Sequence, residues 1–232
     1  MPPRALEPAG VALIDKPVGP SSFAVVAQIR RMTGARTGHA GTLDPFAGGL
    51  LLLLSGRATK LTPWLVGLDK RYLTEIDLSA RTSTGDPEGE VIERLAPPSA
   101  GELERRLAAL RGEIELPIPA ASAVKIGGER AYRLARRGVE VEMPRRRSTV
   151  HALEVIAYAD GRVMLDLDVS SGTYVRSIAD ALGGHCVSLR RTEVGPFDVA
   201  DAVVPEAFTQ DRLLAADDVL ARVAAARAGE SV

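Results

Sequence analysis

Residues 38–54 read GHAGTLDPFAGGLLLLL, a glycine-rich segment that runs directly into five consecutive leucines. The apolar run Leu50–Leu54 has strand length, which predicts a strand buried on both faces. The glycines before it permit unusual backbone angles, so residues 34–49 are predicted to form one long loop. Pro45 disfavours helical angles at Asp44, so this carboxylate should stand on an extended loop beside a stiff strand. Such a group suits a nucleophile or a general base, although an isolated Asp-Pro surface turn is the common alternative.

The segments on either side of this stretch predict further strands and helices. A strand over 10–15 precedes a Lys-Pro turn, and Ser21 or Ser22 should cap a helix that presents Val25, Val26, Ile29 and Met32 on one face. A helix near 57–65 and strands near 72–80 and 91–95 are predicted next. Ser99 and Glu102 form a capping-box pattern before a helix that Gly112 should end.

The second half of the chain is predicted to be rich in strands. Asp160-Gly161 is a strong hairpin signal between strands over 150–158 and 162–170. A helix over 173–182 and a strand near 187–194 follow, and the C-terminal residues have helical periodicity. Strands come in adjacent runs rather than in strict βαβ alternation. The fold class is therefore predicted to be α+β, with a mixed, mostly antiparallel central sheet and flanking helices.

Composition excludes several classes of protein. Apolar residues make up 46% and charged residues 25% of the 232 residues, as in an ordinary globular chain. No apolar run reaches the length of a membrane span, and the first residues lack a secretory signal. Cys186 is the only cysteine, and the three histidines lack metal-ligand spacing, so neither a disulfide nor a metal site is expected. These features favour a cytoplasmic protein.

The charge is unevenly distributed along the chain. The total is −1, but residues 198–232 hold seven acidic and three basic residues, so residues 1–197 carry +3. A basic stretch with an interleaved Tyr132 is a plausible surface for tracking phosphates, although a solvated charged face is the more common explanation. Its candidate RNA-binding residues are Lys125, Arg133, Arg136, Arg137, Arg145, Arg146 and Arg147.

Two further motifs hold residues suited to chemistry. The sequence SSGTYVRS, residues 170–177, lies where a strand ends and a helix begins. Arg176 falls on the first helical turn, where the helix dipole disfavours a cation, so a partner carboxylate such as Asp44 is the expected reason for its presence. Tyr72 begins a strand, and a tyrosine on a sheet edge can stack on a base; a half-buried core tyrosine is the alternative.

Together these stretches resemble the bacterial tRNA pseudouridine-55 synthases, the TruB family, from about Gly10 to Phe197. The motifs occur in the family's order: GVALIDKPVGPSS, GHAGTLDPFAGGLL, DKRY, SAVKIGGERAYRLARRG, SSGTYVRSIADALG and the LRR of residues 189–191. The resemblance implies the pseudouridine synthase fold. It also implies that uridine in the T loop of tRNA, at position 55, is isomerised to pseudouridine without any cofactor.

The resemblance also assigns roles to single residues. It implies that Asp44 is the nucleophile, that Arg176 pairs with it and that Tyr72 stacks on the everted base. His39, Tyr174 and Leu189 would line the uridine site. The basic segment 117–147 would clamp the T arm of tRNA. The implied organisation is a catalytic domain over 1–197, then a short acidic helical tail over 198–232 with no C-terminal domain of the PUA type. A monomer with no protein or membrane partner is expected.

Departures from the family pattern and rival functions bear on this interpretation. Phe46 and Gly48 stand where the family more often has leucine and threonine, and the connection over 183–188 looks shortened. A pseudouridine synthase for another RNA and a non-catalytic RNA-binding protein are both possible. A carboxylate-based glycosidase would need a second carboxylate facing Asp44, for which Asp86, Asp166 and Asp168 could be proposed.

Overall fold

The computed structural model describes residues 8–122, 124–137, 139 and 141–229, without the side chains of residues 132, 135 and 136. The fold is α+β, with a mostly antiparallel central sheet, as predicted. The described strands are β1 Gly10–Lys16, β2 Thr37–His39, β3 Ala47–Ser55, β4 Lys70–Asp77, β5 Ala80–Thr82, β6 Val91–Arg94, β7 Gly112–Pro117, β8 Lys125–Ile126, β9 Glu129–Arg130, β10 Arg145–Ala159, β11 Arg162–Val169, β12 His185–Val194 and β13 Phe197–Asp198. The described helices are α1 Ser22–Thr33, α2 Thr62–Val66, α3 Ala100–Ala108, α4 Ala131–Arg136, α5 Val175–Leu182 and α6 Ala216–Gly229.

The chain divides into two compact units. The first comprises residues 1–72 and 190–232, and the second comprises residues 73–189. The two divisions fall within β4 and within β12.

The first unit is built around β3. All nine residues of this strand are buried, and β3 pairs antiparallel with β1 from Gly10↔Ser55 to Lys16↔Gly49. On part of its length β3 also pairs with β2. The predicted long loop over 34–49 is therefore wrong near its start and at its end, because β2 and the first residues of β3 lie within it. Backbone pairing with neighbouring strands overrides the low strand preference of glycine there.

Gly49 shows why a glycine can stand inside β3. Its φ is +100°, and a Cβ at this position would overlap the backbone of Arg191 on β12. Glycine both adopts the left-handed angle and leaves room for the neighbouring strand. The strand therefore begins three residues before the leucine run from which it was predicted.

Helix α1 forms as predicted at its start. The hydroxyl of Ser21 accepts a hydrogen bond from the backbone N–H of Ala24 at 3.2 Å, and Gly34 ends the helix at φ 66°. Val25, Val26 and Ile29 are buried, whereas Met32 is exposed, so the apolar face is one turn shorter than predicted. The predicted helix near 57–65 is a 3-10 segment over Gly56–Leu61 followed by α2.

The C-terminal segment belongs to the core of the first unit. Leu214 and Val11 exchange two backbone hydrogen bonds of 2.9 and 3.0 Å, and the N–H of Asp15 donates to the carbonyl oxygen of Val203. Val219 and Val223 of α6 are buried in the same apolar cluster as Val11. This packing was not foreseen from the acidic composition of residues 198–232.

The second unit contains the strand order β12-β4-β11-β10-β7. The hairpin between β10 and β11 is confirmed: Ala159 pairs with Arg162, and Asp160 and Gly161 have φ values of 51° and 76°. These positive angles are those of the type I′ turn that Asp-Gly favours. The strand β10 is longer than predicted, because its first residues, from Arg145, pair with β7.

The second unit contains the helices α3, α4 and α5, and the ends of α3 and α5 differ from those predicted. The capping box of Ser99 and Glu102 is present at the start of α3. That helix ends at a right-handed Ala109, and Gly112 instead begins β7. Between α3 and α5 the short strand β9 is followed directly by α4. Helix α5 begins at Val175, two residues later than predicted, and Gly183 ends it in the left-handed conformation.

Candidate active site

Asp44 stands on a short connection between β2 and β3, which we call the aspartate loop and define as residues 41–46. The aspartate is half-buried, and its carbonyl oxygen accepts a hydrogen bond from the N–H of Ala47 at 3.1 Å. Leu43 and Phe46 are buried on either side of it. The loop is thus anchored by apolar side chains around a polar residue, as the Asp-Pro sequence before a stiff strand predicts.

Ser22 and Lys16 hold the backbone of the aspartate loop. The hydroxyl of Ser22 donates to the carbonyl oxygen of Leu43 at 2.7 Å and accepts from the N–H of Leu43 at 2.8 Å. The Nζ of Lys16 donates to the carbonyl oxygens of Ala47 at 2.6 Å and Pro45 at 3.5 Å. Both residues belong to the segment DKPVGPSS, whose physical role is thereby explained: it fixes the loop that carries Asp44.

Arg191 is a third anchor, and sequence reasoning missed it. Its Nε donates to the carbonyl oxygen of Leu50 at 2.7 Å, and its Nη2 donates to that of Gly41 at 3.1 Å. Arg191 is 1% exposed and Lys16 is fully buried. Burying a cation is costly unless its donors are satisfied, and here the carbonyl oxygens of Gly41, which begins the aspartate loop, and of Leu50, on β3, accept from Arg191. The LRR motif contained this residue, but only its leucine had been given a role.

His39 lies at the end of β2, two residues before the aspartate loop. Burial lowers the pKa of its imidazole below the usual 6.5, and the positive charge of Arg191 lowers this pKa further. The side chain is therefore a neutral imidazole near pH 7. Its Nδ1 is buried and has no hydrogen-bond partner among the described residues.

Tyr72 is 7% exposed on β4. This strand has a neighbour on each side, β12 and β11, so the prediction that Tyr72 lies on a sheet edge is wrong. The alternation of β4 buries Lys70, Tyr72 and Thr74 on one face. The ring is thus packed within the protein, and its predicted stacking on a base stays a prediction.

Arg176 is a buried residue of the second unit. It is 4% exposed on the first turn of α5, as its motif predicted, so the alternative of a solvated arginine is wrong. Its Nη1 donates to the carbonyl oxygen of Thr84 at 2.9 Å, and its Nη2 donates to that of Ala121 at 3.0 Å. The pairing of Arg176 with Asp44 stays a prediction.

Asp86 supplies a carboxylate partner of Arg176 that sequence reasoning did not identify. Its Oδ2 lies 3.4 Å from the Nη1 of Arg176, and both side chains are buried. The hydroxyl of Thr84 and the N–H of Glu88 donate to the other carboxylate oxygen at 2.5 and 3.1 Å. Asp86 had been considered only as a possible second acid of a glycosidase. The signal that could have identified the partner of Arg176 was the Asp86 carboxylate in the turn-forming sequence TSTGDPEG, residues 82–89.

Tyr174 and Leu189 are the remaining predicted substrate-binding residues. Tyr174 is the half-buried residue that precedes α5, and its side chain makes no capping hydrogen bond to the helix. Leu189 is buried on β12. The structure thus places Tyr174 two residues from Arg176 in the second unit, and His39 five residues from Asp44 in the first.

The basic candidates of the second unit are mostly exposed. Lys125, Arg133 and Arg137 are exposed, and Arg137 pairs with Glu129 at 2.8 Å. The side chain of Arg136 lies outside the described residues.

The exposed basic residues continue along the start of β10. Arg145 and Arg147 both contact Glu115, with nitrogen–oxygen distances of 3.8 and 3.1 Å, while the Arg147 side chain is 90% exposed. Arg146 packs its guanidinium against Gly172. Exposed pairs of this kind are worth little, so the arginines stay available to phosphates.

Among the described residues, no group of three or more histidine, cysteine or acidic side chains is arranged to hold a metal ion. None of the described helices is long and apolar enough to cross a membrane.

Proteins of similar sequence are pseudouridine synthases. Residues 30–175 match the family described as TruB family pseudouridylate synthase, N-terminal domain. The chain is 46% identical over 209 residues to the tRNA pseudouridine synthase B of Leifsonia xyli, covering 83% of this chain and 69% of that protein. It is 43% identical over 238 residues to the protein of the same name from Nocardia farcinica, covering 96% and 78%. The chain belongs to the TruB family of pseudouridylate synthases.

A solved structure supports the same fold. A chain in the crystal structure of a Cbf5-Nop10-Gar1 complex superimposes with a TM-score of 0.65 at 27% identity. The match covers 84% of this chain and 51% of that one, so the chain spans about half the length of this structural relative. The architecture predicted from the motifs is therefore confirmed by a relative of known structure.

Proposed function

We propose that this protein isomerises uridine to pseudouridine in tRNA, at position 55 of the T loop, with Asp44 as the nucleophile. Family membership and relatives named tRNA pseudouridine synthase B support the reaction and the substrate. The observation that carries the role of Asp44 is its loop: buried Lys16, Ser22 and Arg191 hold the backbone on both sides of it. Side chains from two distant parts of the chain, the segment DKPVGPSS and β12, converge to fix one short loop, as the positioning of a reacting group requires.

The reaction is balanced without an oxidant or a reductant. The bond between N1 of uracil and C1′ of ribose breaks, the base turns, and a bond forms between C5 and C1′. The proton on C5 is lost and N1 gains one, so the product is an isomer of the substrate. The carboxylate of Asp44 supplies the nucleophile that divides this exchange into two easier steps. Tyr72, His39, Tyr174 and Leu189 enclose the uridine and retain the free base between these steps.

The electrostatic part of the proposal concerns Arg176. Its guanidinium is already oriented by two backbone carbonyls and Asp86. We assign it the role of pairing with the Asp44 carboxylate, which keeps that group ionised and able to attack. An arginine suits this role because its planar fork can serve several acceptors at once.

RNA binding makes up the remainder of the proposal. The target uridine is stacked in its loop and must be everted, at a cost of a few kcal/mol. Phosphate contacts from the segment 117–147, which includes Arg133 and Arg136, offset this cost, as does stacking on Tyr72. Residues 1–197 form the catalytic domain, and the enzyme acts on the T arm of tRNA as a cytoplasmic monomer.

The substitution Asp44→Asn tests the central role. We expect it to abolish turnover, because the amide is a poor nucleophile, while tRNA still binds with an affinity within about threefold of wild type. Release of tritium from tRNA labelled at C5 of uridine measures turnover, and filter binding measures affinity. Substantial tritium release by the Asn variant would refute the assignment.

A matched control is available in the same unit. Asp218 on α6 is exposed, so Asp218→Asn removes one carboxylate of the first unit away from the aspartate loop and its anchors. We expect this variant to retain turnover within about threefold, because an exposed surface charge contributes little. Loss of activity in both variants would indicate a general effect of charge or folding. Wild-type protein that binds tRNA but releases no tritium would favour a non-catalytic RNA-binding protein.

A further inference from the structure

Two adjacent serines at the start of α1 make different hydrogen bonds. Ser21 is exposed and caps the helix through the N–H of Ala24. Ser22 is 2% exposed and bonds across 21 residues of chain to Leu43. Consecutive side chains on a helix point in directions about 100° apart, so one can face the helix end while the next faces the aspartate loop. The sequence alone did not show which of the two serines caps the helix.

The hydroxyl of Ser22 fixes two successive peptide planes. It donates to the carbonyl oxygen of Leu43, which belongs to the peptide unit shared with Asp44. It accepts from the N–H of Leu43, which belongs to the peptide unit shared with Thr42. Because a peptide unit is planar, fixing its oxygen fixes the direction from which the next residue starts. Ser22 therefore determines the backbone orientation on the N-terminal side of Asp44.

The burial of both residues makes these bonds hard to replace with water. Leu43 and Ser22 are both buried, so without the hydroxyl the N–H and C=O of Leu43 would be left unsatisfied away from solvent. Lys16 holds the carbonyl groups of Pro45 and Ala47, which lie beyond Asp44. The Ser22 contact instead fixes the peptide unit through which Asp44 is joined to the preceding residue.

We propose that Ser22 is a positioning residue for Asp44, which aims the carboxylate through the Leu43–Asp44 peptide and makes no contact with the RNA. The inference rests on the proposed function, because it requires Asp44 to be the nucleophile. It goes beyond that function by assigning to the second serine of the DKPVGPSS segment a role in the chemical step.

The test compares Ser22→Ala with Ser21→Ala. A displacement of about 1 Å at a reacting group can reduce turnover about 100-fold, so we expect Ser22→Ala to lower kcat by roughly 10- to 100-fold. KM and the affinity for tRNA should change by less than about twofold, since bound substrate still makes the same contacts. The Ser21→Ala variant lacks only a helix cap, so its melting temperature should fall while kcat stays within about twofold.

A third variant separates hydrogen bonding from packing. Ser22→Thr keeps the hydroxyl but adds a methyl group, whereas Ser22→Ala nearly preserves the volume and removes the hydroxyl. A positioning role through hydrogen bonds predicts that the Thr variant has the higher kcat. A purely steric role predicts the reverse order, because overpacking is itself destabilising. A kcat for Ser22→Ala within about twofold of wild type, or above that of Ser22→Thr, would overturn the inference.

A measurement on the wild-type protein keeps the inference testable if a variant fails to fold. The amide proton of Leu43 should exchange slowly with solvent, because it is buried and bonded to Ser22. Rapid exchange of this amide in otherwise folded protein would contradict the inference. Asp44→Asn is assayed in parallel. An active Asn variant means that the nucleophile assignment fails, whereas an inactive Asn variant beside a normal Ser22→Ala means that only the positioning role fails.

Discussion

The aspartate loop in the first unit and the surroundings of Arg176 in the second fix a charged residue in opposite ways. In the aspartate loop, buried side chains hold the backbone: Lys16, Ser22 and Arg191 all form hydrogen bonds to main-chain groups of the loop. Around Arg176 the backbone holds the side chain, because the carbonyl oxygens of Thr84 and Ala121 accept hydrogen bonds from the guanidinium. The first arrangement orients the backbone from which the short side chain of Asp44 projects. The second orients the guanidinium at the end of the long side chain of Arg176.

The lengths of the two side chains explain this difference. An aspartate has only two side-chain torsions, so fixing the backbone leaves its carboxylate few positions. An arginine has several rotatable bonds and about 2 kcal/mol of rotamer entropy, so fixing its backbone alone would leave the head group undirected. The residues that position the aspartate therefore contact its backbone, whereas those that position the arginine contact its guanidinium nitrogens.

The largest effect expected from breaking this pattern is that of Arg176→Lys. A lysine keeps the charge but cannot reach both carbonyl oxygens and Asp86 at once, because its ammonium is a single point on a shorter reach. We expect kcat to fall by roughly 100-fold, since the displaced positive charge no longer pairs with the Asp44 carboxylate in the reactive geometry. The tritium-release assay measures this decrease.

The matched control for that variant is Arg81→Lys in the same unit. Arg81 pairs with Asp180 and Glu93, but its side chain is 38% exposed and solvent can replace its contacts. We expect kcat within about twofold of wild type. If the two lysine variants retained equal activity, the burial of Arg176 and its hydrogen bonds to backbone carbonyls would have no functional consequence.

Unlike Arg176, the arginines at positions 145–147 of the basic segment are exposed. Reversing the charges of Arg145–Arg147 should raise KM about 10-fold or more at physiological salt, with a smaller change in kcat. The slope of log affinity against log salt should fall by about one for each phosphate that the variant no longer binds. Titrations of tRNA binding at several salt concentrations measure this slope.

The control for charge reversal uses three exposed arginines of the second unit outside that segment, Arg105, Arg111 and Arg162. Their reversal changes the net charge by the same amount. We expect a smaller rise in KM and a nearly unchanged salt slope, because general attraction is altered while every bound phosphate keeps its partner. Equal slopes in the two triple variants would show that the segment 117–147 has no special part in binding.

Much of the fold was predictable where a local pattern decides the structure. The capping box of Ser99 and Glu102, the Asp160-Gly161 turn and the buried leucine strand all depend on neighbouring residues, and the structure contains each of them. The start of β3 was mispredicted because the strand pairs with β1 as far as Gly49, before the leucine run begins. The burial of Val219 and Val223 likewise depends on partners about 200 residues away.

The candidate site followed a similar division. Motifs located Asp44 and Arg176 because each stands beside a distinctive turn. The residues that hold them were harder to predict, since Ser22, Asp86 and Arg191 make their contacts across 21, 90 and 141 to 150 residues of chain. A serine, an aspartate in a turn and an arginine in a strand are ordinary surface residues until the fold buries them.

The smallest effect concerns His39, whose imidazole lies in the first unit near buried Arg191. Burial and the charge of Arg191 lower its pKa in the folded state below the usual 6.5. Near pH 8 the histidine is neutral in both states. As pH falls below 6.5, the unfolded chain takes up the proton first, so it binds more protons than the folded state and the free energy of unfolding decreases. The stability that neutral His39 contributes is thus present above the unfolded pKa and is lost as pH falls through the folded pKa.

Urea unfolding between pH 8 and pH 5 measures this linkage in wild type and in His39→Asn. Asparagine cannot titrate, so the variant should lose less stability over this range, and His39→Gln should behave as the Asn variant does. Because all other titrating groups are shared, the difference between the two curves isolates His39. Parallel curves would mean that its pKa is the same in both states. Arg191 would then anchor the aspartate loop through hydrogen bonds alone, without a measurable electrostatic effect on the His39 imidazole.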